Sequence, residues 1–262
     1  MKLDSADRKI LLVAGSVLLI TLLISTVVPS GDEASSPYPS PYSTGSDGAG
    51  AAYTLLSQIG YQVEHWRQAP DKLLGYGANT VLVVVVPTQN PTDDDRKQIR
   101  EYVQKGGRLV AIGPTAVLLL PHIQPAGGIP HFARQSYSAL IPSGITRSAP
   151  QIAITPGMYW SRADSDSEIE YGDSEHGVVV SYPYGKGEVV WWAAPDPLTN
   201  SGISLESNLQ LLLNSIGPPT VETQHAVSPQ NSKQRIVLWD DYFHEGGVTL
   251  AESLLASPLR FR

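Results

Sequence analysis

"NTVLVVVVPTQNPTDDDRKQIREYVQKGGRLVAIG", Asn79 to Gly113, is the stretch on which the fold turns. Its first part, Asn79 to Pro87, is a continuous β-branched run, the pattern of a strand covered on both faces. A helix pattern follows. Thr92 and Asp95 stand at capping-box spacing, and Ile99, Tyr102 and Val103 form one apolar stripe. Asp93, Asp94 and Asp95 complement the positive end of the helix dipole and do not read as metal ligands. Gly106 ends the helix. "GRLVAIG", Gly107 to Gly113, is a second covered strand. Strand, helix and strand in this order predict a parallel pair joined by a right-handed crossover.

Both flanks extend the pattern. Upstream, a helix reads from Ser46 or Asp47 to Gln58 with Gly60 as its stop, and "YQVEHW" alternates as a strand. Downstream, Pro114 to Ser161 is rich in Pro and Gly and reads as loops with short strands. "GVVVSYPYGKGEVVWWAAP", Gly177 to Pro195, reads as a hairpin turning at Gly185–Gly187. "ISLESNLQLLLNSIGPP" reads as a helix ended by Gly217 and Pro218. "RIVLWDD" is a last strand. The expectation is a three-layer α/β domain on a mostly parallel sheet, flavodoxin-like, with an added β-hairpin.

The N-terminus has a different character. Ile10 to Val28 is 19 residues without a charge, long enough at 1.5 Å per residue to reach about 28 Å. A signal peptide has a shorter apolar core and a small-x-small cleavage site, and "TVVPSGDEASS" offers no clean one. An uncleaved transmembrane helix is expected at 10–28. Lys2, Arg8 and Lys9 precede it and the next Lys or Arg is Arg67. That asymmetry predicts residues 1–9 in the cytoplasm and the rest exported, as in a single-pass protein of a bacterial inner membrane. Residues 29–45 read as a Pro/Ser/Gly linker, 46–247 as the α/β domain, and 248–262 as a tail that starts a further helix.

Charge and composition exclude several function classes. The net charge is −7, and the first nine residues carry +3 and −2, so the exported remainder carries −8. That argues against nucleic acid as a partner. No cysteine is present, which removes disulfides, thiolate metal sites and a Cys nucleophile. The phosphate-loop, dinucleotide-binding, zincin and nucleophile-elbow motifs are all absent, so no cofactor is expected. "DSDSEIEYGDSE" imitates a calcium loop through Asp164, Asp166, Glu168 and Glu175. Ile169 stands where that loop needs glycine, so a solvated acidic loop is expected. Trp191 and Trp192 are adjacent on a strand and must point to opposite faces, with packing the expected role.

Candidate site residues cluster after strands. The apolar run Ile236–Trp239 stops at Asp240 and Asp241, and His244 follows. Asp196 ends another apolar strand, with Asn200 and Asn208 beyond it. In an open α/β sheet such positions line the crevice at the carboxyl ends of the strands. Asp and Asn also satisfy orphan backbone groups at turns and helix starts. Asn208 is expected to tie down the "DPLTN" loop, and one of the two aspartates to face the crevice near Asp196. Asp240 is the one expected there, with His244 partly exposed.

The ordered set "PYSTGSDGAGAAYTLLSQIGYQVEHW", "QKGGRLVAIG", "YGKGEVVWWAAPDPLTN", the helix with Asn208 and "VLWDDYFHEG" resembles the membrane-anchored domain of unknown function 4350 family. The resemblance implies a class I glutamine-amidotransferase-like fold. The family's closing signature has an acidic pair, Tyr, two His and Gly. Asp240, Asp241, Tyr242 and His244 match it, whereas Phe243 replaces the first His and Glu245 the Gly. In amidotransferases the Cys nucleophile sits on the elbow after the strand that follows this helix. Gly113–Pro114 occupy that place, and Pro114 lacks the N–H that an oxyanion hole uses. Thr115 is the one nearby hydroxyl, and no base stands beside it in sequence. The resemblance also implies a membrane-protein partner, linked to a MoxR-type ATPase system.

Two functions are therefore carried forward. The first is a membrane-anchored, non-catalytic α/β module that binds a protein partner or a small ligand outside the cytoplasm, with Asp196, Asn200, Asn208, Asp240, Asp241 and His244 as binding or structural-lock residues. No catalytic residue and no metal ligand are assigned under this reading. The alternative is a hydrolase, with or without a divalent metal, using Asp240, Asp241 and His244.

Overall fold

The computed structural model describes residues 38–121, 125–126, 133–161, 167–173, 175–222 and 232–244. All of these lie in one compact unit, Pro37–Arg262. The expected span Ile10–Val28, residues 164–166 and 174 of the calcium-like stretch, and the tail 248–262 lie outside the described residues. Among the described residues no helix is long and apolar enough to cross a membrane.

Five parallel strands form the heart of the sheet: β1 (Gln62–Trp66), β2 (Thr80–Val85), β3 (Arg108–Ile112), β10 (Gly187–Trp192) and β13 (Ile236–Asp240). Their spatial order is β1-β13-β2-β3-β10. The last strand of the chain is thus inserted between the first two. β10 then turns antiparallel to β9 (His176–Tyr184) through the hairpin read from the sequence. The turn residue Gly185 has φ +63, where a side chain is strained. β9 carries β7 (Tyr159–Ser161) and β8 (Glu168–Gly172) as antiparallel neighbours, and β4 (Pro125–Ala126) pairs with β7. Two short ribbons stand apart: β5 (Gln135–Ser138) with β6 (Gln151–Ile154), and β11 (Thr220–Glu222) with β12 (Ser232–Gln234).

Every residue of β2 is buried, as its unbroken β-branched run requires. Three helices cover the sheet. α1 (Gly50–Gln58) packs on β1, α2 (Asp93–Gln104) on β10, and α3 (Asn208–Ile216) on β3 and β6. α2 starts at the expected capping box: the Thr92 side chain accepts from the Asp95 N–H while the Asp95 carboxylate accepts from the Thr92 N–H. Its buried stripe is Ile99, Tyr102 and Val103. α1 begins later than Ser46, because residues 43–50 fold into hydrogen-bonded turns first, with Gly48 N–H on the Gly45 carbonyl and Gly50 N–H on that of Ser43.

Trp191 and Trp192 both pack, on opposite faces. The Trp191 indole donates to the Gly113 carbonyl at 3.3 Å, and the Trp192 indole to the Ser215 hydroxyl at 3.2 Å. Gly113, at the elbow after β3, has φ +96, and a Cβ there would lie 2.7 Å from Val86 Cγ2. Glycine at this elbow is a steric requirement.

Candidate functional site

Parallel pairing of β13 with β1 places Asp240 opposite Trp66. The next residue on each strand leaves the sheet, so Asp241 comes beside Arg67. The Asp241 N–H donates to the Trp66 carbonyl at 2.8 Å, which fixes this approach.

The two carboxylates diverge, as alternation along a strand requires. Asp240 turns inward and is 1 % exposed. Its Oδ1 accepts from the backbone N–H of Tyr242 at 3.1 Å and of Phe243 at 3.4 Å, an Asx-type turn lock. Its Oδ2 meets no hydrogen-bond partner among the described residues and lies 3.7 Å from His244 Nε2. Burial, together with the neighbouring Asp241 charge, pushes the Asp240 carboxyl well above the ordinary carboxylate range.

Asp241 instead accepts three donors on one oxygen. Tyr42 donates its hydroxyl to Oδ2 at 2.8 Å, Arg67 Nε approaches at 3.2 Å and His65 Nδ1 at 3.2 Å. The Tyr42 hydroxyl has one proton and spends it on Asp241. It therefore accepts from Arg67 Nη2 at 2.6 Å, and His65 Nδ1, with one proton at most to share between the two oxygens, lies 2.9 Å from it. Burial raises the Asp241 carboxyl, but His65, Tyr42 and Arg67 together outweigh burial and hold it below the ordinary value. Aromatic rings close the cluster: His65 is sandwiched between Tyr42, 4.5 Å away, and Tyr53, 4.6 Å away.

His244 is buried, which corrects the expectation of partial exposure. The physical reason is Tyr38, whose ring stacks on the imidazole at 3.6 Å. Burial lowers the His244 pKa to about 4, so the ring is neutral at physiological pH, and its Nδ1 meets no partner among the described residues. Tyr38 and Tyr42 belong to the stretch read as linker, and Pro39 and Pro41 between them are buried. The segment Tyr38–Tyr42 lies across the ends of β1 and β13.

The remaining candidates do not join this cluster. Asp196 follows β10, and β2 and β3 intervene between β10 and β13, so about 14 Å separates the two strand axes. The expected approach of Asp240 to Asp196 is corrected on that ground. Asp196 accepts from the Thr155 N–H at 2.6 Å. Asn200 accepts from the Ala51 N–H at 2.8 Å, near the start of α1, and donates to the Ser43 and Gly45 carbonyls. Asn208, fully buried, accepts from the Ala153 N–H and donates to the carbonyls of Ala153 and Gly202. These three side chains serve backbone groups. Among the described residues no group of three or more His, Cys, Asp or Glu side chains is placed to hold a metal ion.

The sequence reading missed Tyr38, Tyr42, Tyr53, His65 and Arg67. One signal was available: "EHWR" brings a histidine and an arginine to the end of β1, His65 level with Trp239 and Arg67 one residue past the pairing of Trp66 with Asp240.

Residues 41–216 match the model of the family described as Domain of unknown function (DUF4350), and the chain belongs to that family. The match ends before β13, so it does not cover Asp240, Asp241 or His244. A search of the curated proteins found no match. Among solved structures, the "mmIFT52 N-terminal domain" superposes with a TM-score of 0.45 at 10 % identity, over 63 % of this chain and 86 % of its own. The Salmonella typhimurium cytoplasmic protein STM3548 superposes with a TM-score of 0.39 at 15 % identity, over 58 % of this chain and 74 % of its own. STM1381 from Salmonella typhimurium LT2 gives 0.38 at 15 % identity, over 58 % and 71 %. Likenesses of this degree carry no argument about fold or function.

Proposed function

We propose that this DUF4350 member is a membrane-anchored, non-catalytic α/β module. Its domain is held outside the cytoplasm of a bacterial cell by Ile10–Val28, and it docks a membrane-protein partner or a small ligand within a membrane complex. A partner from a MoxR-type ATPase system fits this reading.

One observation carries it. Asp241 and His244 are already engaged by the chain's own side chains: Asp241 Oδ2 is held by Tyr42, His65 and Arg67, and His244 is covered by Tyr38. The hydrolase alternative asks His244 to act as a base. A histidine whose pKa is lowered to about 4 is a weak base, and Asp240 beside it is driven toward its protonated form. Gly113 and Pro114 support the same conclusion against amidotransferase chemistry, since neither carries a nucleophilic side chain and Pro114 carries no N–H.

The test is purification of the tagged full-length protein from native membranes in mild detergent. The expected result is a stoichiometric membrane-protein partner and no hydrolysis across ester, phosphoester and peptide substrates. Turnover that disappears in His244→Ala, with the fold intact by circular dichroism, reverses the assignment in favour of the hydrolase.

A further inference from the structure

At the opposite end of the parallel strands from Asp240 lies a cationic hollow. Arg235 immediately precedes β13 and is 8 % exposed. Its Nε donates to the Pro218 carbonyl at 2.8 Å, and its two Nη groups meet no acceptor among the described residues. A guanidinium keeps its charge in a protein, and these two Nη groups are free to take an acceptor from the hollow they line.

Arg108, the first residue of β3, converges on the same spot. Its Nη1 and the Arg235 Nη2 each lie 3.4 Å from where a Cβ on Gly217 would stand. Arg108 is already answered: it donates to the Asn214 and Ser215 carbonyls at the end of α3 and to the Glu188 carboxylate. Glu188 therefore balances Arg108, and Arg235 is left without a carboxylate of its own. Burial, followed by the Arg108 charge, holds the Arg235 pKa below that of an ordinary arginine.

Arg235, Arg108 and Lys186 share an open hollow of about 380 Å³ with Glu168, Glu188 and Ser181. Three cations against two carboxylates make it net positive, on a chain whose total charge is −7. Its volume suits a small ligand.

We propose that this hollow binds a phosphate group, held by the Arg235 Nη fork and completed by Lys186. A guanidinium fork takes two oxygens of a phosphate or a carboxylate. A phosphate gives two oxygens to the fork and keeps a third for Lys186, whereas a carboxylate has to share one oxygen between the fork and Lys186. Glu168 and Glu188 limit the negative charge the hollow accepts, which favours a single phosphate over a polyphosphate. The group belongs either to a small soluble molecule or to a lipid headgroup.

The experiment uses the full-length protein in detergent, melted at fixed pH and constant ionic strength with inorganic phosphate or with matched chloride. The expected result is a saturable rise in Tm with phosphate alone. That rise is abolished in Arg235→Lys, which keeps the charge but loses the fork, and needs about tenfold more phosphate in Lys186→Ala. No saturable response of the wild type to inorganic phosphate or to phosphatidic acid, or an equal response in the wild type and both variants, overturns the proposal. Lys186 is exposed on a turn, so its variant folds even where Arg235→Lys does not, and an unchanged phosphate dependence in Lys186→Ala then overturns it. A second arm compares nanodiscs with and without phosphatidic acid. A response confined to that arm assigns the phosphate to a lipid headgroup, and a response to inorganic phosphate assigns it to a soluble molecule.

Discussion

Tyr38 lies nearly flat on His244, their ring centroids 3.6 Å apart and their planes 17° from parallel. This contact brings a Pro/Ser-rich N-terminal segment onto the end of the last strand and shields an imidazole that otherwise faces solvent. Removing it with Tyr38→Ala is expected to lower stability by about 1 kcal/mol and to return the His244 pKa toward its ordinary value of 6.5. Titration of the His244 ring by NMR checks this, and an unmoved pKa contradicts it.

The pH dependence of stability follows from the same residue. The folded His244 pKa, about 4, lies below its unfolded value of 6.5, so folding favours the neutral ring. The contribution is whole above pH 6.5 and is lost as pH falls toward 4, by about 3 kcal/mol. His244→Phe keeps the stack on Tyr38 and removes the proton. Its Tm is expected to fall less than that of the wild type across this window. Parallel melting curves for the two proteins would rule the assignment out.

Asp240 and Asp241 are adjacent and are expected to respond in opposite ways. Asp241→Asn removes the charge that holds Arg67 and His65, and a loss of about 2 kcal/mol is expected at pH 7. Asp240 is buried with its pKa raised, so its contribution is present at low pH and is lost as pH rises past the ordinary carboxylate range. Asp240→Asn keeps an oxygen for the Tyr242 and Phe243 N–H groups, and above that range it is expected to cost nothing or to stabilise. Denaturant unfolding of the full-length protein at pH 7 distinguishes the two, and equal losses would refute the division of roles.

Asn208→Leu is expected to cost about 3 kcal/mol, because it strands the Ala153 N–H and the carbonyls of Ala153 and Gly202 inside the protein. Asp196→Asn keeps an acceptor for the Thr155 N–H and is expected to fall within about 1 kcal/mol of the wild type. Unfolding midpoints measure both.

Topology is open to a direct assay. Alkaline phosphatase fused after Gly247 is expected to be active if Ile10–Val28 spans the membrane with Lys2, Arg8 and Lys9 inside. An inactive phosphatase with an active cytoplasmic reporter at the same site reverses the orientation. The same full-length protein is expected to release no ammonia from glutamine. Release above background that disappears in Thr115→Ala would contradict the reading of Gly113–Pro114.

What was legible in the sequence was local. The β-branched run at Asn79–Pro87, the Thr92–Asp95 capping box and the Ile99, Tyr102, Val103 stripe each express a period or a cap over a few residues. Each appears where it was read, as does the hairpin at Gly185. Asp240 and Asp241 were legible as strand-end carboxylates for the same reason. Their partners were not. β13 enters the sheet between β1 and β2, and no local pattern encodes which strand a covered strand lies beside. That insertion carries Asp241 to His65 and Arg67 and keeps Asp240 apart from Asp196. Nor does composition separate a free Pro/Ser segment from one that packs. Tyr38 and Tyr42 read as linker because the surface that holds them, His244 with Asp241 and the His65–Tyr53 stack, exists only once the two ends of the domain have met. The sequence by itself determined the elements and the chemistry of their ends, because helix, strand and cap depend on neighbours a few residues away. Only the tertiary structure decided which ends meet and which of them stay open to water, because contacts between distant segments form only as the whole sheet assembles.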